Sequence, residues 1–330
     1  MKAATLNRIR SKTRMFVLIG VLIAALIFPL ISSPRTMNFA IIGLFGAILT
    51  LGLNILYGYC GQINFGIAGF YAIGGYGVAL LEKYLCTPFV MNLLIAVIVG
   101  GILTLLMSFF LVRLRGHSLV LGTIAFHMAI YTSVAKGFKG FTGGEDGIKL
   151  APLMLFNGIK ATDLFYYYLI VATIAACCWL NWTLRNSRLG RAMIEIAQNE
   201  VAAISFGVSI DRHLRLALVL NGVIAAVAGG IFVKWTGWVS PEYFGIMPSI
   251  IPVLSLVVGG VGNIVGAVVG GIFMHMLPIF MIRFAELSTL LYGLILCIFP
   301  LFLTRGIIGE IQYRYQSRKA TRSVSPEEGK

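Results

Sequence analysis

An all-α, polytopic bundle of about ten transmembrane helices is the fold class this sequence predicts, on three observations. Of 330 residues, 58% are hydrophobic and only 38 are charged, 26 basic and 12 acidic. A soluble chain of this length would carry about 80 charges. The few charges are also confined, leaving 15–34, 36–81, 84–112, 116–135, 164–184, 216–233, 243–282 and 287–304 empty of them. The two longest windows, 46 and 40 residues, each hold a glycine-rich break near the middle: Gly58-Tyr-Cys-Gly-Gln62 and Gly259-Gly-Val-Gly-Asn263. One crossing of a ~30 Å hydrocarbon core takes about 20 apolar residues. Six windows therefore hold one helix each and the two long ones hold two. The short alternating segments of a membrane barrel are absent.

Taken in order, a basic stretch, 1–14, precedes the transmembrane region 15–305, and a polar tail, 306–330, follows it. The first window resembles a secretory leader, but Ser32-Ser-Pro-Arg35 is a poor cleavage site, so it reads as a retained helix. The tail ends in Ser325-Pro-Glu-Glu-Gly-Lys330 and reads as disordered.

Ten crossings put both termini on one side, and the basic residues say which. Segments 1–14, 113–117, 183–215 and 305–330, with turns near 60–63 and 261–264, carry 18 of the 26 Lys and Arg. The opposite side carries 8, four of them in the loop 136–163. Positive residues favour the cytoplasmic side, so both termini are expected there. The net charge of +14 sits at window ends and forms no groove-facing stripe, which argues against a nucleic-acid partner. Cys60, Cys86, Cys177, Cys178 and Cys297 lie in or beside apolar windows, without metal-ligand spacing or a disulfide framework. Four scattered histidines add no metal motif.

Two segments outside the membrane are long enough to act. Within 183–215, Met193, Ile196 and Ala197 fall at helical spacing, as do Val201 and Ile204 beside Ala203. Asn199 suits an N-cap between two short helices, and Gly207 suits the stop of the second. Such an apolar face either fills a groove on a partner or packs back on its own bundle. In 136–163, Thr142-Gly-Gly-Glu-Asp-Gly147 predicts a tight turn presenting Glu145 and Asp146. That turn either receives a partner protein or only closes the loop.

Asn54, Gln62, Asn64, His127, Asn221 and His275 are polar residues inside apolar windows. Each either lines a path or bonds neighbouring helices together. The glycine-rich helices 63–81 and 259–272 have two readings as well. Gly66, Gly69, Gly74, Gly75 and Gly77 let backbones approach closely, or the adjoining breaks are unwound and present backbone dipoles. No carboxylate lies deep in a window, so an ion-coupled carrier lacks its usual site. No Gly-x-x-x-x-Gly-Lys-Ser/Thr loop is present, so any nucleotide site belongs to another chain.

Three stretches carry a family resemblance. Leu53-Asn-Ile-Leu-Tyr-Gly-Tyr-Cys-Gly-Gln-Ile-Asn-Phe-Gly66, continuing to Tyr76, resembles the second and third helices of branched-chain amino acid ABC importer permeases of the LivM type. Leu114-Arg-Gly116, Thr123-Ile-Ala-Phe126 and Thr142-Gly-Gly-Glu-Asp-Gly-Ile148 are similar to that family's central region. Ser187-Arg-Leu-Gly-Arg-Ala192 and Asn199-Glu-Val-Ala-Ala-Ile-Ser-Phe-Gly207 resemble its cytoplasmic coupling loop. Ser240-Pro-Glu242 and Gly259-Gly-Val-Gly-Asn263 continue the likeness, which spans about residues 38–305.

The resemblance implies the ABC importer permease fold in a bacterial inner membrane, with both termini cytoplasmic. It implies a second, homologous permease, two ABC ATPases and a periplasmic substrate-binding protein as partners. Hydrolysis would occur on the ATPases, which hold ATP and Mg, with no cofactor or metal in this chain. Glu200, Ala202, Ala203 and Gly207 match the family's Glu-x-Ala-Ala-x-x-x-Gly pattern and, with Arg191, are expected at the ATPase contact. Glu145 and Asp146 are expected to dock the binding protein. Asn54, Gln62, Asn64, His127 and Asn221 are the path candidates. The implied substrates are leucine, isoleucine, valine or related amino acids. Urea or short amides are the alternative within the class, and an ion-coupled amino-acid carrier is the alternative outside it.

Overall fold

The computed structural model describes residues 28–29, 32–137, 139–154, 160–281, 293–294 and 306. The predicted crossings at 15–34 and 287–304, the leader-like stretch, the basic N-terminus and the polar tail lie almost wholly outside the described residues. Among the described residues, ten helices of more than one turn follow in order. They are α1 (Pro34–Leu53), α2 (Ile67–Leu85), α3 (Phe89–Leu111), α4 (His117–Thr132), α5 (Asp163–Asn186), α6 (Arg188–Gln198), α7 (Glu200–Ser205), α8 (Ile210–Thr236), α9 (Met247–Gly259) and α10 (Ile264–Met281). All but α6 and α7 coincide with predicted crossings. Six apolar helical stretches among the described residues are long enough to cross a membrane: Pro34–Tyr59, Phe89–Leu111, His117–Lys136, Asp163–Asn186, Ile210–Thr236 and Pro241–Gly259. In α2 the glycines, tyrosines and the Glu82-Lys83 pair dilute the apolar run, and the apolar part of α10, Ile264–Pro278, is shorter.

Local chemistry sets the ends. Ser33 caps α1 by accepting from the Thr36 N–H, and Pro34 opens the helix. The chain leaves α8 at Gly237, whose φ of 67° is left-handed. Both glycine-rich breaks exist, and they differ. After α1 the helix widens into a π-helical segment, Asn54–Tyr59, and residues 61–66 are non-helical before α2 begins. The second break is a tight turn between α9 and α10, with Gly260 at φ 116° and Gly262 at φ 77°.

The core runs along α1, α2 and α8. Of the most apolar window, 78% is buried in the α1 stretch and 67% in α8, against 22% in α3, α4 and α5. The outer-facing helices thus leave broad apolar faces for lipid or another subunit. Where α2 crosses α8, backbone meets backbone. A Cβ on Gly74 would lie 2.0 Å from the Ala226 carbonyl oxygen, and one on Gly229 would lie 2.0 Å from that of Tyr71. At Gly74 the close-approach reading holds.

The described residues of the segments separate into two ends of the bundle. At one end Gln62, Arg115, Glu200 and Asp211 meet, Arg185 bonds the Gly262 carbonyl, and Gly306 abuts Gly260. These belong to the segments expected in the cytoplasm. At the other end Glu82, Ala151 and Lys234 meet. There β1 (Ile148–Lys149) pairs antiparallel with β2 (Trp238–Val239).

Candidate functional site

The loop 183–215 forms the two short helices that its pattern predicts. Ser187 caps α6 by accepting from Gly190 N–H at 3.1 Å, and Asn199 caps α7 by accepting from Ala202 N–H at 3.1 Å. Gly207, at φ 78°, ends α7. The two apolar faces have opposite fates. Met193 and Ile196 of α6 are fully buried against the bundle, whereas Val201, Ile204 and Phe206 stand out at 74%, 59% and 87% exposure.

Glu200 and Ala203 point away from that exposed ridge. Ala203 is buried, and Glu200 binds the Arg115 guanidinium while accepting from Gln62 Nε2 at 3.3 Å. Arg115 also reaches Asp211 at 3.3 Å. Arg115 thereby joins α7, the start of α8 and the turn between α3 and α4, and Gln62 brings in the non-helical segment 61–66. Arg191, whose guanidinium bonds the Asn186 carbonyl, and Gly207 are exposed, and Ala202 is partly so.

The polar residues inside the helices separate into bonded and unbonded groups. Asn54 donates to Asn181 Oδ1 at 3.1 Å and accepts from Gly262 N–H at 3.0 Å, joining the π-helical segment to α5 and to the second break. His275 bonds the Gly271 carbonyl of its own helix and occupies the notch at Gly46. Asn64 accepts from Gly66 N–H at 2.7 Å and donates to Asn221 Oδ1 at 2.9 Å. His127 is 1% exposed, and neither ring nitrogen has a hydrogen-bond partner among the described residues.

At the predicted outer end, Glu145 and Asp146 lie on a 3-10 turn, both exposed, between glycines of positive φ at 143, 144 and 147. A Cβ on Gly147 would lie 2.1 Å from the Val239 carbonyl oxygen, so the β pairing requires glycine there. Lys234 Nζ, 5% exposed, sits 2.6 Å from Glu82 Oε2 and 2.9 Å from the Ala151 carbonyl. Glu82 Oε1 also accepts from Ala151 N–H at 3.0 Å.

Comparison with known proteins bears on this architecture directly. The model of the permease component of branched-chain amino acid transport systems matches residues 35–300. The chain belongs to that family. It is similar to the high-affinity branched-chain amino acid transport system permease protein LivM of Escherichia coli K12, 27% identical over 90% of this chain and 75% of that one. The corresponding LivH of Salmonella typhimurium is 28% identical over 69% of this chain and 79% of its own length. The autoinducer 2 import system permease protein LsrC of Klebsiella pneumoniae is 28% identical over 50% of this chain and 47% of its own. No solved structure matches the chain significantly.

In this permease the structure adds residues that sequence reasoning passed over. Asn181 lies inside the window 164–184 and meets the same test that singled out Asn54. Arg115 stands in the Leu114-Arg-Gly116 motif but shows its partners only in three dimensions. Glu82 and Lys234 sit just past the ends of apolar windows, and α2 and α8 extend through them. Tyr76, buried with a hydroxyl that has no partner among the described residues, carries no sequence signal beyond its aromatic character.

Proposed function

We propose that this permease is one half of the translocation pathway of an ATP-driven importer for branched-chain or related amino acids, and that α7 receives the motion of a separate ATPase subunit. The observation that supports the coupling is the exposed ridge Val201, Ile204 and Phe206, at the end of the bundle that also holds Arg115, Arg185 and Arg191. Monomeric surfaces rarely leave large apolar side chains clustered without a partner, and three anchors on a short helix suit a groove. Arg191 and Gly207 flank that contact. Glu200 and Ala203 act one step behind it, holding α7 to the bundle so that displacement of the ridge moves Arg115 and Gln62. Glu145 and Asp146 receive the substrate-binding protein at the opposite end, and β1–β2 passes that contact to α8.

Substrate class rests on the family membership and on the relatives named above. The test is ATP-dependent uptake of labelled leucine by proteoliposomes holding the permease pair, both ATPases and the binding protein. Phe206→Asp and Ile204→Arg change exposed side chains only, so the permease should fold and insert while uptake falls at least about tenfold. Undiminished uptake in both variants would overturn the coupling role of α7, and uptake that survives without ATP would favour an ion-coupled carrier. No leucine uptake by the wild type would move the substrate to other amino acids, urea or short amides.

A further inference from the structure

The seam between α2 and α4 holds polar groups that the rest of the bundle leaves unmet. His127 Nδ1 and Nε2 and the Tyr76 hydroxyl have no hydrogen-bond partner among the described residues, although the side chains are 1% and 4% exposed. Other polar groups at comparable burial are satisfied at Asn54, Asn64, Asn181, Thr50 and Ser255, while Asn221 Nδ2 and Arg215 Nε are also unmet among the described residues. An unmet buried donor or acceptor is costly, so such a set calls for something that meets it.

Their placement defines a line. Gly66 lies against Thr123, and a Cβ on Gly69 would stand 3.7 Å from His127 Nδ1, so α2 presents no side chain there. Tyr76 follows on the same helix, seven residues or about 10 Å beyond Gly69. Tyr131 of α4 has its ring centroid 6.4 Å from that of His127. The walls are aromatic: Phe70 and Phe126 are 4.9 Å apart, and Phe244 is 5.7 Å from Tyr76. At its lower end the line reaches the unwound residues 61–66, where Thr123 Oγ1 accepts from Phe65 N–H at 3.3 Å. α4 packs chiefly on α2 and buries little of its own surface.

We infer that the α2–α4 seam is a station on the substrate path and that His127 and Tyr76 receive the polar ends of a zwitterionic amino acid. This rests on the importer reading above. A neutral imidazole offers one N–H donor and one acceptor, and a phenol offers both. The carboxylate accepts from one of the two side chains, and the ammonium donates to the other. Phe70, Phe126 and Phe244 accept the apolar side chain. Asn54 takes no part, because both its polar atoms are already engaged.

The test compares wild type, Tyr76→Phe and His127→Leu in the complete complex, reading leucine imported per ATP hydrolysed and the thermal midpoint of the permease. Tyr76→Phe removes one oxygen atom that bonds none of the described residues, so a structural role predicts no change. The path assignment predicts a fall of about tenfold or more in leucine per ATP, with the midpoint unchanged or raised. Wild-type coupling in both variants would overturn the seam and leave the importer reading intact. A wild-type complex that imports no leucine would overturn the amino-acid reading, and this ligand assignment with it.

Discussion

The two ends of α8 hold ion pairs built on opposite principles. At the predicted cytoplasmic end, Arg115 binds Glu200 and Asp211 with side chains 41%, 33% and 58% exposed. At the other end, Lys234 and Glu82 are 5% and 16% exposed and bind both polar groups of Ala151. Water screens the first set, which makes and breaks at little cost. The second is shielded, and each partner would be left stranded without the other. One helix is thus joined loosely to the segments beside α7 and firmly to Ala151 in the loop 136–163. A contact that follows a moving partner suits the first construction, and a clamp suits the second.

The largest effect should come from breaking the clamp on one side. Lys234→Met leaves Glu82 buried and unpaired, and should lower stability by about 3–5 kcal/mol. Adding Glu82→Leu should recover most of that loss, measured as the unfolding midpoint of the purified permease in detergent. If Lys234→Met alone is neutral, the pair is not shielded and the contrast between the ends fails.

A bonded amide within the helices should rank next. Asn54→Leu strands Gly262 N–H and one side of Asn181, and should cost about 1–3 kcal/mol. The same melting measurement checks it, and a stabilised variant would mean that water already serves these groups.

Arg115→Gln should change the midpoint least, by about 1 kcal/mol or less. Its effect belongs in coupling: ATP turnover continues while leucine import per ATP falls. Raising salt should weaken the same contacts in the wild type, because exposed charges are screened within about 8 Å at physiological ionic strength. A large loss of stability with coupling preserved would invert the assignment of the two ends.

Features written into short stretches of sequence are legible in the chain by itself. Charge-free windows place the described crossings, because burying a charge in lipid is costly wherever it occurs in the chain. Asn199 and Gly207 announce the bounds of α7, because a cap is made by residues two or three positions away. The glycine runs mark both breaks, though they do not say that one is a π-helical and unwound passage and the other a tight turn.

What tertiary structure alone decides is which polar group meets which. Lys234 finds Glu82 across 152 positions, Gln62 finds Glu200 across 138, and Asn54 finds Asn181 across 127. Asn54, His127 and His275 look alike in the sequence as polar residues in apolar windows. Among the described residues Asn54 and His275 find hydrogen-bond partners and His127 does not. Likewise Ala203 and Ile204 are neighbours on one short helix, and packing buries the first and exposes the second. Apolar periodicity determines that a helix has a face, while the helices packed around it determine whether that face is covered.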